Sequence, residues 1–388
     1  MAYNRPMHTH SRRGFLRQTL GACFTGAAIL EQSVFRAARA RAQSGAALPP
    51  LFDFEKVADG IYSALAKPQT LLNCNAVIFE NAADLLIVDT HSKPSAVAAL
   101  VRQIRNEITP KPVRYVVASH FHWDHSQGTP AYRRIAPHAD IVATEATRQL
   151  MSAETMPRLK ASFNELAKSL SGYKEGLAKA KSPEEKTYFQ RMARETNEYL
   201  AEMKNFTPEL PNVTLRDDLI LHDKAHDLHL AFRGRGHTAG DVVVFCPQKK
   251  VVATGDLLHS FGPYMGDSYP IDWPRTLIRL ADLDFTRVAG GHGAVQPGKD
   301  RLYQMANYIE DVTEAVVRGK RQGKDLAQLK SEITPATLKT LADGGYGRYL
   351  AENVMKYMMT PPGTSADLVL ATVVGTNVEH TFQRLEKN

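Results

Sequence analysis

The stretch "ASHFHWDHSQG", residues 118–128, places three histidines and an aspartate within six positions, directly after the apolar run "VRYVV". In an extended segment alternate side chains face the same way, so His120 and His122 present imidazoles to one point while Phe121 turns away. Asp124 and His125 fall where the strand pattern ends, free to turn toward a second point nearby. Two converging neutral imidazoles are how a protein holds zinc. A lone histidine is more often a packing or surface residue. Four ligand-type side chains at one strand end are not explained that way, because burying such groups without a metal or partner is costly.

A zinc site needs three or four ligands, so others must come from elsewhere in the chain. "GRGHTAGD" supplies His237 in a glycine-rich turn, "ATGDLLH" supplies Asp256 directly after a strand pattern, and "AGGHGAV" supplies His292 between glycines. The flanking glycines let a backbone bring an imidazole close to an ion. Taken alone, Asp256 reads equally well as the cap of a helical "LLHS".

The rest of the chain sets limits on what surrounds this cluster. Its 388 residues, 43% apolar and 23% charged, are those of a globular protein with one large domain or two ordinary ones. The formal charge of +7 sits almost wholly in residues 1–42, where seven arginines face Glu31 alone, leaving +1 for the remainder. A chain so balanced exerts no general pull on phosphates, and nucleic acid is not an expected partner. The leader "SRRGFLRQTLGACFTGAAIL", followed by "ARARA", resembles a twin-arginine export signal cleaved after Ala42, which implies a periplasmic protein. Its apolar stretch is far shorter than the roughly 20 residues that span a bilayer, and no later segment reaches that length, so no membrane anchor is expected. Cys74 and Cys246 remain after cleavage, each in an apolar strand-like run; they read as buried free thiols or as a single bridge.

Along the chain, "GIYSAL", "NAVIFE" and "DLLIVDT" are short strands that suggest an antiparallel start. "KPSAVAALVRQIRNEI" has helical spacing behind Ser92 as a cap, and "VRYVVAS" and "ADIVATE" are buried strands. Residues 146–206 then become charged and helical, broken at Gly172 and again at Ser182–Pro183, where "SPEE" has the form of a capping box. Strands resume with "LILH", "LHLAFRG", "DVVVFC" and "KVVATGD", and helices dominate from Lys299. The pattern predicts a layered α/β domain over 43–298, with 146–206 as a helical hairpin inserted into it and 299–388 as a helical region.

"HFHWDH", the later histidines of "GHTAGD" and "GGHG", and the aspartate of "TGD" together resemble the metallo-β-lactamase superfamily over roughly residues 54–295. That resemblance implies a four-layer αββα sandwich with metals at one edge of its two sheets. Carried over position by position, His120, His122 and His237 would hold one metal, Asp124, His125 and His292 the other, and Asp256 would bridge them. "VDTH" looks like the family's early aspartate motif, making Asp89 an organiser of the metal loop. The implied cofactor is a pair of Zn²⁺ ions, with Fe or Mn as alternatives. Two ions about 3.5–4 Å apart stabilise a hydroxide at neutral pH and aim it at a carbonyl or phosphorus. Asp124 is the expected catalytic residue, orienting that hydroxide; no serine or cysteine nucleophile is needed, and "GDSY" at 266–269 reads as a loop.

An aspartate at position 256 is what thioesterases of the glyoxalase II type, lactonases and phosphodiesterases share, whereas dedicated lactam-cleaving members generally lack it. Gln127 departs from the glyoxalase pattern, in which a glycine is usual. The loop "HSFGPYMGDSYPIDW", with His259, Tyr264, Tyr269 and Trp273, is expected to edge the pocket or to pack as ordinary aromatics. The leading expectation is a periplasmic dizinc hydrolase of a small ester, thioester, lactone or amide. An iron-dependent oxidoreductase like the superfamily's persulfide dioxygenases, and a non-catalytic periplasmic metal-binding component, are the alternatives, since imidazole and carboxylate suit iron as well as zinc.

Overall fold

The computed structural model describes residues 50–69, 71 and 73–387, apart from the side chains of His259 and Lys387; the expected export signal lies outside the described residues. Strands β1 (Phe52–Ala58), β2 (Ile61–Ala66), β3 (Ala76–Glu80) and β4 (Leu85–Val88) pair antiparallel in chain order; β2–β4 are the antiparallel start that the sequence suggests, and β1 adds a strand ahead of them. Strands β5 (Val113–Val117), β6 (Asp140–Thr144) and β7 (Val213–Leu215) extend this sheet in parallel. A second sheet runs β13 (Gln296–Pro297), β12 (Arg287–His292), β11 (Val251–His259), β10 (Val242–Cys246), β9 (Leu228–Phe232), β8 (Asp218–Leu221), with β11 and β12 parallel and the other pairs antiparallel.

The central strands are apolar on both faces because both faces are covered. Val77, Phe79, Leu86, Val88 and Val117 of the first sheet pack against Leu230, Val242, Val244 and Ala253 of the second. The alternate residues Ile78, Ile87 and Val116 face outward onto Val97, Leu100 and Ile104 of helix α1 (Pro94–Glu107). After α2 (Trp123–Ser126), helix α3 (Thr129–Ile135) joins that layer through Ala131 and Tyr132. On the far side, Val243, Val252 and Val288 of the second sheet meet helices that belong mostly to the C-terminal region. The result is the four-layer αββα arrangement expected from the sequence.

Between β6 and β7 the chain leaves the sandwich as two paired helices, α4 (Glu145–Lys179) and α5 (Pro183–Glu202). The capping box at Ser182 and Glu185 forms as its residues predict. Gly172, in contrast, does not break α4, which runs through it. An isolated glycine costs a helix only about 1 kcal/mol, and packing of Tyr173 against Tyr188 and Met192 across the pair outweighs that.

The helix cap also differs from expectation. Helix α1 starts at Pro94 behind Lys93, and Ser92 instead donates its hydroxyl to Asn73. The amide of Ser95 is taken by the Glu202 carboxylate at 2.7 Å. A buried acceptor brought from another helix does the work of a local cap. Residues 256–259 are strand, not helix, continuing β11 beside β12 with Gly255 opposite Gly290. Cys74 and Cys246 are buried free thiols.

Helices α6 (Trp273–Ala281), α7 (Asp300–Arg321), α8 (Leu326–Glu332), α9 (Gly345–Tyr357) and α10 (Ala366–Lys387) close the second outer layer. Trp273, Leu277, Met305, Ile309, Leu350 and Val374 share one core with the sheet beneath them. Among the described residues no helix is long and apolar enough to cross a membrane.

Candidate metal centre

The cluster quoted at the outset lies just past the ends of β4 and β5, beside Asp256 within β11, His292 at the end of β12 and His237 in the turn between β9 and β10, and Asp89 fixes its shape. Asp89 follows β4 with φ +72°, a conformation a non-glycine residue adopts only under constraint. Its Oδ1 accepts from the Ser119 amide at 2.8 Å, and its Oδ2 accepts from the Ser119 hydroxyl at 3.0 Å and from His125 Nδ1 at 2.8 Å. Thr90 donates both its amide and its hydroxyl to the His125 carbonyl, at 3.0 and 2.8 Å. One short turn therefore holds the loop's backbone and one of its imidazoles together. This is the organising place the early aspartate motif implies.

His120 Nε2 lies 3.1 Å from His122 Nδ1, which lies 2.8 Å from His237 Nε2. His125 Nε2 stands 3.3 Å from His292 Nε2 and 3.4 Å from Asp124 Oδ2, with Asp124 Oδ2 3.1 Å from His292. Asp256 reaches both trios: Oδ2 is 3.5 Å from His237 and 3.9 Å from His120, and also 3.5 Å from His292, while Oδ1 is 3.2 Å from His125. All seven side chains are buried. His120–His122–His237, His120–His125–Asp256 and Asp124–His125–His292 each bring three ligand atoms close enough to share an ion.

The partners of the outer ring nitrogens decide whether these sets fit a cation. A carboxylate only accepts, so His125 Nδ1, bonded to Asp89, carries a hydrogen, and Nε2 is the nitrogen turned to the cluster, a lone pair once the ring is neutral. His122 Nε2 is likewise fixed as a donor by Asp267 Oδ2 at 2.9 Å, leaving Nδ1 as a lone pair. The Ser119 hydroxyl gives its hydrogen to Asp89, so it accepts from His120 Nδ1 at 3.0 Å, and His120 Nε2 is a third lone pair. Lone pairs facing one another at about 3 Å repel unless positive charge lies among them. Ligands about 2.0–2.1 Å from a shared zinc stand a little over 3 Å apart. The donor set fits a cation of that kind.

The electrostatics agree. Burial and the neighbouring imidazoles hold His120 well below the ordinary histidine value, so it is neutral. Burial opposes charge on His292 too, but Asp256 and Asp124 outweigh it and lift this histidine to about 9. His125 is raised well above its usual value by the same carboxylates, again against burial. Despite burial, His125 and His292 keep Asp124 ionised, well below the usual carboxylate range. The second trio thus attracts positive charge, and the first is built to donate lone pairs.

Glycine is required where backbone meets ligand. A Cβ at Gly291 would lie 2.0 Å from Asp256 Oδ1 and 2.8 Å from the His125 ring, and Gly255, with φ +50°, would meet Ser119 Oγ at 2.3 Å.

Of the expected pocket residues, Tyr264 stands edge-on to His122 and His237, with ring centroids 5.4 and 6.1 Å away. Trp273 is fully buried behind His237 and donates its indole N–H to the Leu257 carbonyl, so it supports the site from the core. Tyr269 packs against the guanidinium groups of Arg235 and Arg384. His259 ends β11, and its side chain lies outside those described. Residues that the sequence did not single out are Ser119, Asp267 and Arg158. Asp267 sits in "GDSY", whose loop reading holds, and its chemistry is visible only once His122 is beside it. The one available signal was general: a ligating imidazole needs an acceptor for its other nitrogen.

Similarity to known proteins is found among solved structures and family models. A metallo-β-lactamase from Pontibacter korlensis is 18% identical, with a TM-score of 0.48 over 66% of this chain and 98% of its own. The DIM-1 metallo-β-lactamase is 20% identical, with a TM-score of 0.47 over 67% of this chain and 98% of its own. A search of curated proteins finds no match. The family model of the metallo-β-lactamase superfamily matches residues 69–292, more than half of the chain and the whole span of the seven clustered side chains. The chain belongs to the metallo-β-lactamase superfamily.

Proposed function

We propose that the chain is a dinuclear metallohydrolase that cleaves a small ester, thioester, lactone or amide, β-lactams included, and that it works in the periplasm after export by its twin-arginine leader. The observation that carries this reading is Asp256, whose two carboxylate oxygens face the two trios at 3.2–3.9 Å. His120, His122 and His237 would hold one ion, Asp124, His125 and His292 the other, with Asp256 shared. The predominance of imidazole favours zinc, and iron and manganese are accommodated by the same donor types.

When bound, such a pair activates water at neutral pH and polarises the bond to be broken. The chain's own residues supply the rest. Asp124, whose carboxylate faces His125 and His292, would orient the attacking water and receive its proton. Asp89 holds His125 in one tautomer, and Ser119 does the same for His120. Tyr264, whose phenol burial keeps protonated, provides an aromatic wall beside the three-histidine set. A near-neutral mature chain, without a general field for polyanions, suits a small substrate.

Metal analysis of the purified protein, with assays on ester, thioester, lactone and lactam substrates, tests the proposal. Two equivalents of metal per chain, turnover of at least one class and loss of that turnover in Asp124→Asn are expected. Metal-replete protein inert toward all four classes overturns it.

A further inference from the structure

The helical pair α4–α5 reaches the metal centre through a charged link. Arg158, on α4, directs Nη1 and Nη2 to the two oxygens of Asp267 at 2.7 and 2.8 Å. Asp267 Oδ2 in turn accepts the Nε2 hydrogen of His122 at 2.9 Å. The remaining contacts of Arg158 hold it in place: its Nε lies 3.3 Å from Glu154 Oε2, and its guanidinium covers the Phe121 ring at 4.8 Å. Asp267 is 17% exposed and Arg158 41%, so the link passes from the surface inward.

The geometry points to Asp267 as a positioning residue for His122, with Arg158 as its anchor, so that α4 tunes how strongly the three-histidine set holds its ion. This inference rests on the metal reading proposed above.

Three physical features support it. A planar guanidinium paired with both carboxylate oxygens fixes the plane of the carboxylate as well as its position. A carboxylate that accepts the outer N–H of an imidazole fixes the tautomer and raises the basicity of the inner nitrogen. His120 and His125 receive this service from Ser119 and Asp89, within the turns of the sandwich itself. For His122 it comes from a loop carboxylate that an arginine of the helical pair grips at both oxygens. The same loop is tied on its other side to α10, where Arg384 donates to the Ser268 carbonyl at 2.7 Å, so Asp267 has little freedom to find another position.

The test is metal affinity, measured by chelator competition on the full chain, with the absorption spectrum of the cobalt-loaded protein as a second readout. Asp267→Asn is expected to weaken one of the two bound equivalents about 10–100-fold and to shift the cobalt d–d bands, leaving the other equivalent unchanged. Arg158→Ala should weaken the same equivalent less, Arg158→Lys less still, and Asp267→Asn with Arg158→Ala no more than Asp267→Asn alone, because the two act in series. A merely structural role for the pair would alter both equivalents or neither, and would leave the spectrum in place. His122→Ala separates the two levels of the argument. If it abolishes an equivalent while Asp267→Asn and Arg158→Lys bind as the parent does, the link is overturned and the metal reading stands. If the parent chain binds no ion, or His122→Ala binds as the parent does, both fall.

Discussion

Glu202, the last residue of α5, accepts two hydrogen bonds from Ser95 in the first turn of α1, one from its amide at 2.7 Å and one from its hydroxyl at 2.6 Å. The helical pair is therefore part of the fold's own bookkeeping of backbone donors, since it satisfies a helix N-terminus that no nearby side chain caps. The carboxylate is fully buried, and hydrogen bonds to a charged group are the strong kind. Glu202→Ala should lower the unfolding free energy by about 2 kcal/mol, with Ser95→Ala costing roughly half as much. Urea denaturation monitored by far-UV circular dichroism would show it. An unchanged midpoint for Glu202→Ala would mean that water replaces the carboxylate at no cost.

Gly291 gives a sharper test of the metal centre's geometry. Its missing side chain leaves room for Asp256 and His125, which a methyl would approach to 2.0 and 2.8 Å. Gly291→Ala must displace the carboxylate that both trios face. Displacement of about 1 Å at a reacting centre costs on the order of 10²-fold in rate, so turnover should fall by about that much and bound metal should drop below the parent's. Parent-like metal content and kcat would show that β12 shifts instead and that Asp256 keeps its place.

Much of this was legible in the sequence, for a physical reason. The strands read as short apolar runs because both sheets are covered on both faces. His120, His122, Asp124 and His125 read as ligand types because they crowd one strand end, His237, Asp256 and His292 stand out through their glycines, and the fold brings all seven together. The misreadings are equally local. Ser92 has the chemistry of a cap, but Asn73 competes for its hydroxyl and Glu202 takes over its task. Gly172 has the chemistry of a breaker, yet packing across the helical pair exceeds its small penalty. Asp267 and Arg158 lie 109 positions apart in sequence, and nothing near either residue announces the other.

Cys74 and Cys246, the two cysteines outside residues 1–42, should be chemically silent. Burial pushes the Cys74 thiol up to about 12, and Cys246 is raised as well, again by burial. Only the thiolate reacts, and at pH 8 a thiol with a pKa near 12 is ionised to about one part in 10⁴. The chain without residues 1–42 is expected to show no thiol reactive toward an aromatic disulfide reagent in native buffer, and two in guanidinium chloride. One fast-reacting thiol in the native protein would contradict the burial of Cys74 and Cys246 among the described residues.

Removing metal should expose the charge logic of the second trio. In the metal-free protein His292 is lifted to about 9 from an ordinary value of 6.5, because Asp256 and Asp124 outweigh its burial. A histidine whose folded pKa exceeds its unfolded one stabilises fully below the unfolded value, and that contribution disappears as pH rises through the folded value. The window is therefore about pH 6.5 to 9, with His125, raised in the same direction, adding to it. Metal binding needs these imidazoles neutral, so a bound ion takes over from the protons and gains as they leave. Metal-free protein should accordingly melt at progressively lower temperature from pH 6 to pH 9. Protein with excess metal should lose less, so that the gap between the two melting curves widens with pH. His292→Ala should flatten the metal-free curve across the same window. Thermal melts with and without chelator at half-unit pH steps would decide it, and a gap that narrows toward pH 9 would reverse the assignment of positive charge to this trio.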